Sequence, residues 1–159
     1  MMFLLLSIAM LQANPLPPQT WKERNHPDMP VLPACDLGKK ANIATSIASL
    51  PKEVSVELAR FSKLGGGISE ANGPYNSTDV VDGHVPTRRF LRAYHVQNQW
   101  IVWYEHGGFV TGIVTLGLEL DNSEKGGAQA YRAMPGTVLS GDLCAATKAL
   151  LAGVRSGNP

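Results

Sequence analysis

The sequence has little charge, few cysteines and no apolar run of membrane-spanning length. Charged residues make up 17% of its 159 residues, and 14 basic against 13 acidic side chains give a net charge of +1. Because no run of like charges occurs, we expect no nucleic-acid partner. The hydrophobic fraction of 44% argues against a disordered chain. The length is sufficient for one domain with a single core.

Motifs that identify common enzyme classes are also missing. The sequence has no CxxC pair, no HExxH metal motif and no GxSxG nucleophile turn. The triple glycine at 65–67 ends a predicted helix and is not followed by the Lys-Ser or Lys-Thr of a phosphate loop. We therefore predict no cofactor and no metal site.

The amino terminus resembles a secretion signal. The apolar run from Met2 to Leu11 has the length of a signal-peptide core and falls far short of the ~20 residues of a membrane-spanning helix. No Lys or Arg precedes it, and cleavage after Ala13 would leave Leu11 where a small residue is preferred. The alternative is a buried terminal helix or strand. We predict a signal peptide over 1–13 and export to the periplasm or medium, with no transmembrane segment.

Residues 14–34 are rich in proline, which removes backbone donors and favours extended structure. We interpret them as a linker or an extended arm, followed by a single domain over 35–155 and a frayed tail over 156–159. Cys35 and Cys144 are the only cysteines. In an oxidising compartment they would form one disulfide, whereas otherwise they would be two buried free thiols.

The hydrophobic pattern predicts an α+β fold. A helix should start at Pro51 and end at the glycines, and another should follow Asp142. Residues 41–50 could form a short helix, and 128–134 a helical or irregular segment. The predicted strands are Thr78–Val81, Arg89–Val96, Gln99–His106 and Phe109–Leu120. Short turns between the last three favour an antiparallel meander sheet of about four strands, with two or more helices packed on it.

The strand 99–106 carries large aromatic side chains on both of its faces. Trp100 and Tyr104 share one face, and Trp103 lies on the other. Since Trp and Tyr dominate interfaces, we predict a binding module that uses Trp100, Trp103 and Tyr104 to contact a protein or a glycan. Arg88 and Arg89 are further candidates, for an acidic partner or phosphate.

The alternative function is a small hydrolase or metal-dependent enzyme. It would use Glu105 and His106, together with His84 or His95. Regular strand geometry opposes this interpretation, because neighbouring residues 105 and 106 point to opposite faces. A third alternative is a structural protein of the cell envelope. The oligomeric state stays open.

Three segments also carry a resemblance. Asn76–Val81, Pro86–Phe90 and Trp100–Gly108 resemble small exported proteobacterial proteins of unknown function. The likeness covers about residues 70–120. It implies export and a β-rich domain, and it implies no activity.

Overall fold

The structure is a computed structural model that describes residues 28–38, 41–80, 84–121 and 130–157. Single 3-10 turns, Ile47–Ser49 and Lys63–Gly65, lie before and after the first helix. In chain order the elements are β1 (Asn42–Ala44), α1 (Lys52–Ser62), β2 (Arg88–Val96), β3 (Gln99–His106), β4 (Gly112–Asp121), β5 (Ala130–Ser140) and α2 (Leu143–Leu151). The architecture is α+β, as the sequence predicts.

The five strands form one antiparallel sheet in the order β1-β2-β3-β4-β5. Each strand therefore lies beside its neighbour in sequence, which confirms the predicted meander, and the sheet has five strands where about four were expected. The β2–β3 connection is the predicted tight turn at Gln97 and Asn98, with Gln97 in the left-handed region at a φ of 57°. Short connections of this kind keep consecutive antiparallel strands adjacent.

The sheet is covered by apolar side chains on both faces, which explains the two-sided hydrophobic pattern of β3. We call these the α1 face and the α2 face, after the helix that packs on each. The α1 face contains Val54, Leu58, Phe90, Val102, Tyr104, Val114 and Leu116. The α2 face contains Tyr94, Ile101, Trp103, Leu143 and Leu150, with side chains of the segment 28–38 packed against them.

Local chemistry explains where α1 ends and where α2 begins. In α1, Val54 and Leu58 are buried on the predicted stripe, and the helix terminates before Gly66, whose φ of 73° few other residues adopt at low cost. The Asp142 side chain caps α2 by accepting a hydrogen bond of 2.7 Å from the Ala145 amide. The two main helix predictions are confirmed.

Three local predictions are wrong. Residues 41–50 contain β1 and a 3-10 turn in place of a short helix, since Asn42–Ala44 pairs with β2. The described part of the predicted strand Thr78–Val81 is a bend, because the Asn76 side chain accepts hydrogen bonds from the Thr78 amide and hydroxyl. Residues 130–134 belong to β5, which pairs with β4.

The predicted signal peptide, the first part of the proline-rich segment and the last two residues of the tail lie outside the described residues. Of the predicted arm, residues 28–34 are described, and they form neither helix nor strand. No helix in the described ranges is long and apolar enough to cross a membrane.

Candidate functional site

The aromatic residues of β3 are core residues. Trp100, Trp103 and Tyr104 are only 7%, 0% and 4% exposed. The Trp103 indole donates a hydrogen bond of 2.8 Å to the Thr147 hydroxyl of α2, and Trp100 stacks against His95 at a ring distance of 4.9 Å. The predicted aromatic contact surface is therefore absent, because the cluster that includes α1 covers one face of β3 and the cluster that includes α2 covers the other.

Arg89 is buried on the α2 face in an ion pair with Glu105. Its Nε lies 2.8 Å from Glu105 Oε2, and the two side chains are 2% and 14% exposed. The guanidinium also stacks on Tyr75 at 4.7 Å from the ring centre and donates to the Asp28 carbonyl. Because its charge is balanced within the fold, Arg89 is not available to a phosphate or an acidic partner, contrary to the prediction.

A cavity with a partly polar wall lies on the α1 face, at the end of the sheet where β2 begins and β3 ends. Its volume is about 230 Å³. Thr87, Arg88, Tyr104 and His106 supply the polar part of its wall, and Val114 and Val138 supply apolar surface. Arg88 and His106 are direct cross-strand partners. The Arg88 guanidinium and the His106 ring thus stand side by side on one face.

Thr87 and Arg88 are held in place by the end of α1 and the turn that follows it. One terminal nitrogen of Arg88, Nη1, donates to the Ser62 carbonyl at 3.1 Å, at the end of the helix. Thr87 donates to the Gly65 carbonyl at 2.9 Å. A Cβ on Gly65 would overlap the Arg88 guanidinium and lie 2.6 Å from the Thr87 hydroxyl. The glycine therefore allows this close approach, which positions Thr87 and Arg88 along the cavity wall.

Tyr104 and Arg88 interact directly. Burial raises the pKa of Tyr104, and the opposing charge and hydrogen bond of Arg88 only partly offset this effect. The phenol therefore stays protonated at neutral pH. Since the guanidinium has no lone pair to accept a hydrogen bond, the phenol oxygen is the acceptor in this contact.

The residues of the predicted enzyme site are not brought together. Glu105 lies on the α2 face with Arg89, whereas His106 lines the cavity on the α1 face. His95 stacks on Trp100, and His84 is exposed. Within the described ranges, no group of three potential metal ligands occurs. Strand alternation separates Glu105 from His106, as the sequence analysis anticipated.

Cys35 and Cys144 are neighbours but are not bonded. Both thiols are free and half-buried, and they interact by a hydrogen bond between their side chains. The Cys144 sulfur also lies 3.6 Å from the Ala34 carbonyl oxygen. Burial, and after it the hydrogen bond with the Cys144 side chain, raises the pKa of Cys35 to about 12. The predicted disulfide is therefore not formed, since the sulfurs are not at bonding distance.

Sequence reasoning missed Glu57, a fully buried carboxylate of α1. It accepts hydrogen bonds of 2.6 Å from Arg60 and 2.8 Å from the Ala133 amide of β5, and it faces Arg132 at 3.4 Å. A signal was present, because Glu57 falls between Val54 and the next stripe residue on the inner side of the helix. The cavity residues Thr87 and Val138 gave no sequence signal, since only the fold places them together.

Comparisons with protein-family models, curated proteins and solved structures give no match. The function is therefore inferred from the geometry of the cavity.

Proposed function

We propose that the protein is a binding module, as the sequence suggested, and that its ligand site is the cavity beside Arg88. The observation that carries this proposal is the convergence of four polar side chains on about 230 Å³ of space. Concave sites of mixed character, with a few well-placed polar groups, are typical of ligand-binding sites. The aromatic strand β3 supports the site from beneath, because Tyr104 belongs both to the core and to the cavity wall.

The size of the cavity limits the ligand. At about 230 Å³ it is smaller than the ~300 Å³ of the smallest pockets for drug-sized molecules. It would hold a small molecule, or the terminal group of a larger partner such as a glycan or a protein. A terminal group would enter the cavity while the rest of the partner stays outside, so both predicted partner classes are compatible with it.

A cavity-filling variant tests the proposal. Val138 lies in β5 on the apolar wall and is partly exposed, so Val138→Trp should fill the cavity without altering its polar groups. A library of small soluble compounds, followed by amide NMR spectra of the full chain, should give shifts at Thr87, Arg88 and Gly107. These shifts should disappear in Val138→Trp. Ligands that bind equally well to the variant, or a library without any ligand for this region, would contradict the proposal.

A second part of the proposal is export, supported by the apolar run Met2–Leu11. The measurement is the intact mass of the protein expressed with its own amino terminus. Loss of residues 1–13 supports export, and a full-length mass after secretion-competent expression contradicts it.

A further inference from the structure

We infer that the ligand of this cavity carries a carboxylate, an inference that rests on the function proposed above. The charge on the cavity wall favours an anion. Arg88 and His106 are cross-strand neighbours on the cavity wall, and no Asp or Glu is among the described residues that line it. A concave site with a fixed cation and no counter-charge attracts anions, because the low-dielectric walls reduce screening.

Arg88 also differs from most arginines of the described chain. Each of these is within ion-pair distance of a carboxylate: Arg60, Arg89, Arg132 and Arg155. No described carboxylate pairs with Arg88. Its Nε is buried and has no hydrogen-bond partner in the described ranges. A guanidinium has five N–H donors, so Arg88 retains donors beyond its contacts with Ser62 and Tyr104.

Arg92 shows that a missing carboxylate is not sufficient by itself. It also lacks a carboxylate partner among the described residues, and its Nε is likewise buried without a hydrogen-bond partner there. Each of the two guanidinium groups lies 5.9 Å from the centre of an aromatic ring, Trp103 for Arg92 and Phe61 for Arg88. Arg92 lines neither of the described cavities. Arg88 combines the missing counter-charge with a cavity, and the Tyr104 phenol and the His106 ring add further hydrogen-bonding groups beside it.

The apolar part of the cavity wall favours a carboxylate over a phosphate. Val114 and Val138 make part of the wall apolar. A phosphate has three or four polar oxygens, and those facing the valines would lose their hydrogen bonds with water without replacement. A carboxylate has two oxygens on one end, which suit the planar fork of a single arginine, and an attached hydrocarbon part would pack on the valines.

The test uses three probes: butyrate, its neutral analogue butyramide, and inorganic phosphate. Each is titrated into the full-length protein and followed by amide NMR. We expect butyrate to shift the signals of Thr87, Arg88 and Gly107 with the highest affinity of the three. Arg88→Gln should weaken butyrate binding at least about tenfold, the usual effect of losing a charged hydrogen-bond partner. It should leave any butyramide binding unchanged.

Lys63→Gln is the matched control, because it removes one positive charge from an exposed residue next to Ser62 that does not line the cavity. It should leave butyrate affinity within about twofold, the small change expected of a screened surface charge. If Arg88→Gln does not fold, Arg88→Lys replaces it. Lysine keeps the charge but loses the fork, so butyrate affinity should still fall while butyramide is unaffected.

The outcomes distinguish this inference from the proposed function. Butyramide or phosphate binding more tightly than butyrate, with loss in Val138→Trp, would keep the cavity as a ligand site and overturn the carboxylate. Equal losses in Arg88→Gln and Lys63→Gln would show a general charge effect and overturn it as well. An absence of butyrate binding also overturns the carboxylate, while the library experiment decides the function separately.

Discussion

Arg88 and Arg89 are consecutive residues of β2, and the alternation of the strand directs their side chains to opposite faces of the sheet. Arg89 is buried on the α2 face, where Glu105 balances its charge. Arg88 borders a cavity on the α1 face, where no described carboxylate pairs with it. Arg89 thus stabilises the fold on the α2 face, whereas Arg88 remains available to a ligand on the α1 face.

The difference between the two faces follows from what packs on each. On the α2 face, Tyr75 and the Asp28 carbonyl enclose the Arg89–Glu105 pair, so water is largely excluded. On the α1 face, the chain after α1 reaches Arg88 through the Ser62 carbonyl but leaves open space beyond it. A buried charge must be paired within the protein, whereas water or a ligand can supply the missing hydrogen bonds of a charge at a cavity.

Removing each arginine in turn should show the largest difference between the two faces. Arg89→Met should destabilise the protein by about 3–5 kcal/mol, because it leaves the Glu105 carboxylate unpaired and mostly buried. Arg88→Met should cost less, about 1–3 kcal/mol, because it removes the hydrogen bonds of Arg88 with Ser62 and Tyr104. Urea unfolding of both variants measures the difference. Equal losses would show that Arg88 is as much a structural residue as Arg89.

Glu57 provides the next test, because it is the buried charge of the α1 face that is fully paired. Glu57→Gln should destabilise by about 2–3 kcal/mol at pH 7, since hydrogen bonds from Arg60 and Ala133 lose their charged acceptor. Glu53→Gln, an exposed residue of the same helix, is the matched control and should change stability by less than ~0.5 kcal/mol. Similar losses in both variants would contradict the assigned role.

The pH dependence of the stability gives a second test of the role of Glu57. Burial alone would raise the pKa of Glu57, but hydrogen bonds from Arg60 and the Ala133 amide, with the charges of Arg60 and Arg132, outweigh it and lower the pKa. A lowered folded-state pKa stabilises the fold above the unfolded value of ~4.3. This stabilisation is lost as the pH falls toward the folded-state pKa. Glu57→Gln should therefore lose less stability than the native protein between pH 6 and pH 3, about the range over which a glutamate protonates.

Replacing either of two buried threonines on the α2 side of the sheet should change the stability by a smaller amount. The Thr147 hydroxyl accepts the Trp103 indole hydrogen bond, so Thr147→Val should cost about 1–2 kcal/mol by leaving that donor unpaired. The Thr115 hydroxyl is buried and has no hydrogen-bond partner in the described ranges. Thr115→Val should therefore be neutral or stabilise by up to ~1 kcal/mol. Thermal unfolding of both variants checks the sign of each change.

The fold was largely predictable because its signals are local. Short turns between apolar strands determine a meander, and the stripe of Val54 and Leu58 determines α1. The failures also have local causes. The strand β1 is only three residues long, and β5 contains Pro135 and Gly136 beside a change of register, so neither shows a clear alternation.

The site was less predictable, because it depends on what covers each face. The sequence shows two tryptophans and a tyrosine in β3 but not the α1 and α2 layers that bury them. Adjacent arginines look equivalent in sequence, and only the pairing of Glu105 with Arg89 separates them. Thr87 and Val138 meet across 51 positions of sequence, through the pairing of the strands between them.

The smallest expected effect concerns the reactivity of Cys35, a neutral thiol packed on the α2 face. With a pKa raised to about 12, mainly by burial, the thiol ionises far less at pH 8 than an unperturbed cysteine with a pKa of ~8.5. Cys35 in the native Cys144→Ser variant should react with iodoacetamide more than about tenfold slower than in the same chain unfolded by urea. Burial, the larger cause of the shift, persists in this variant although the contact with Cys144 is removed. Equal rates in the native and unfolded chains would show that Cys35 is open to solvent, and hence that the segment 28–38 does not pack on the α2 face.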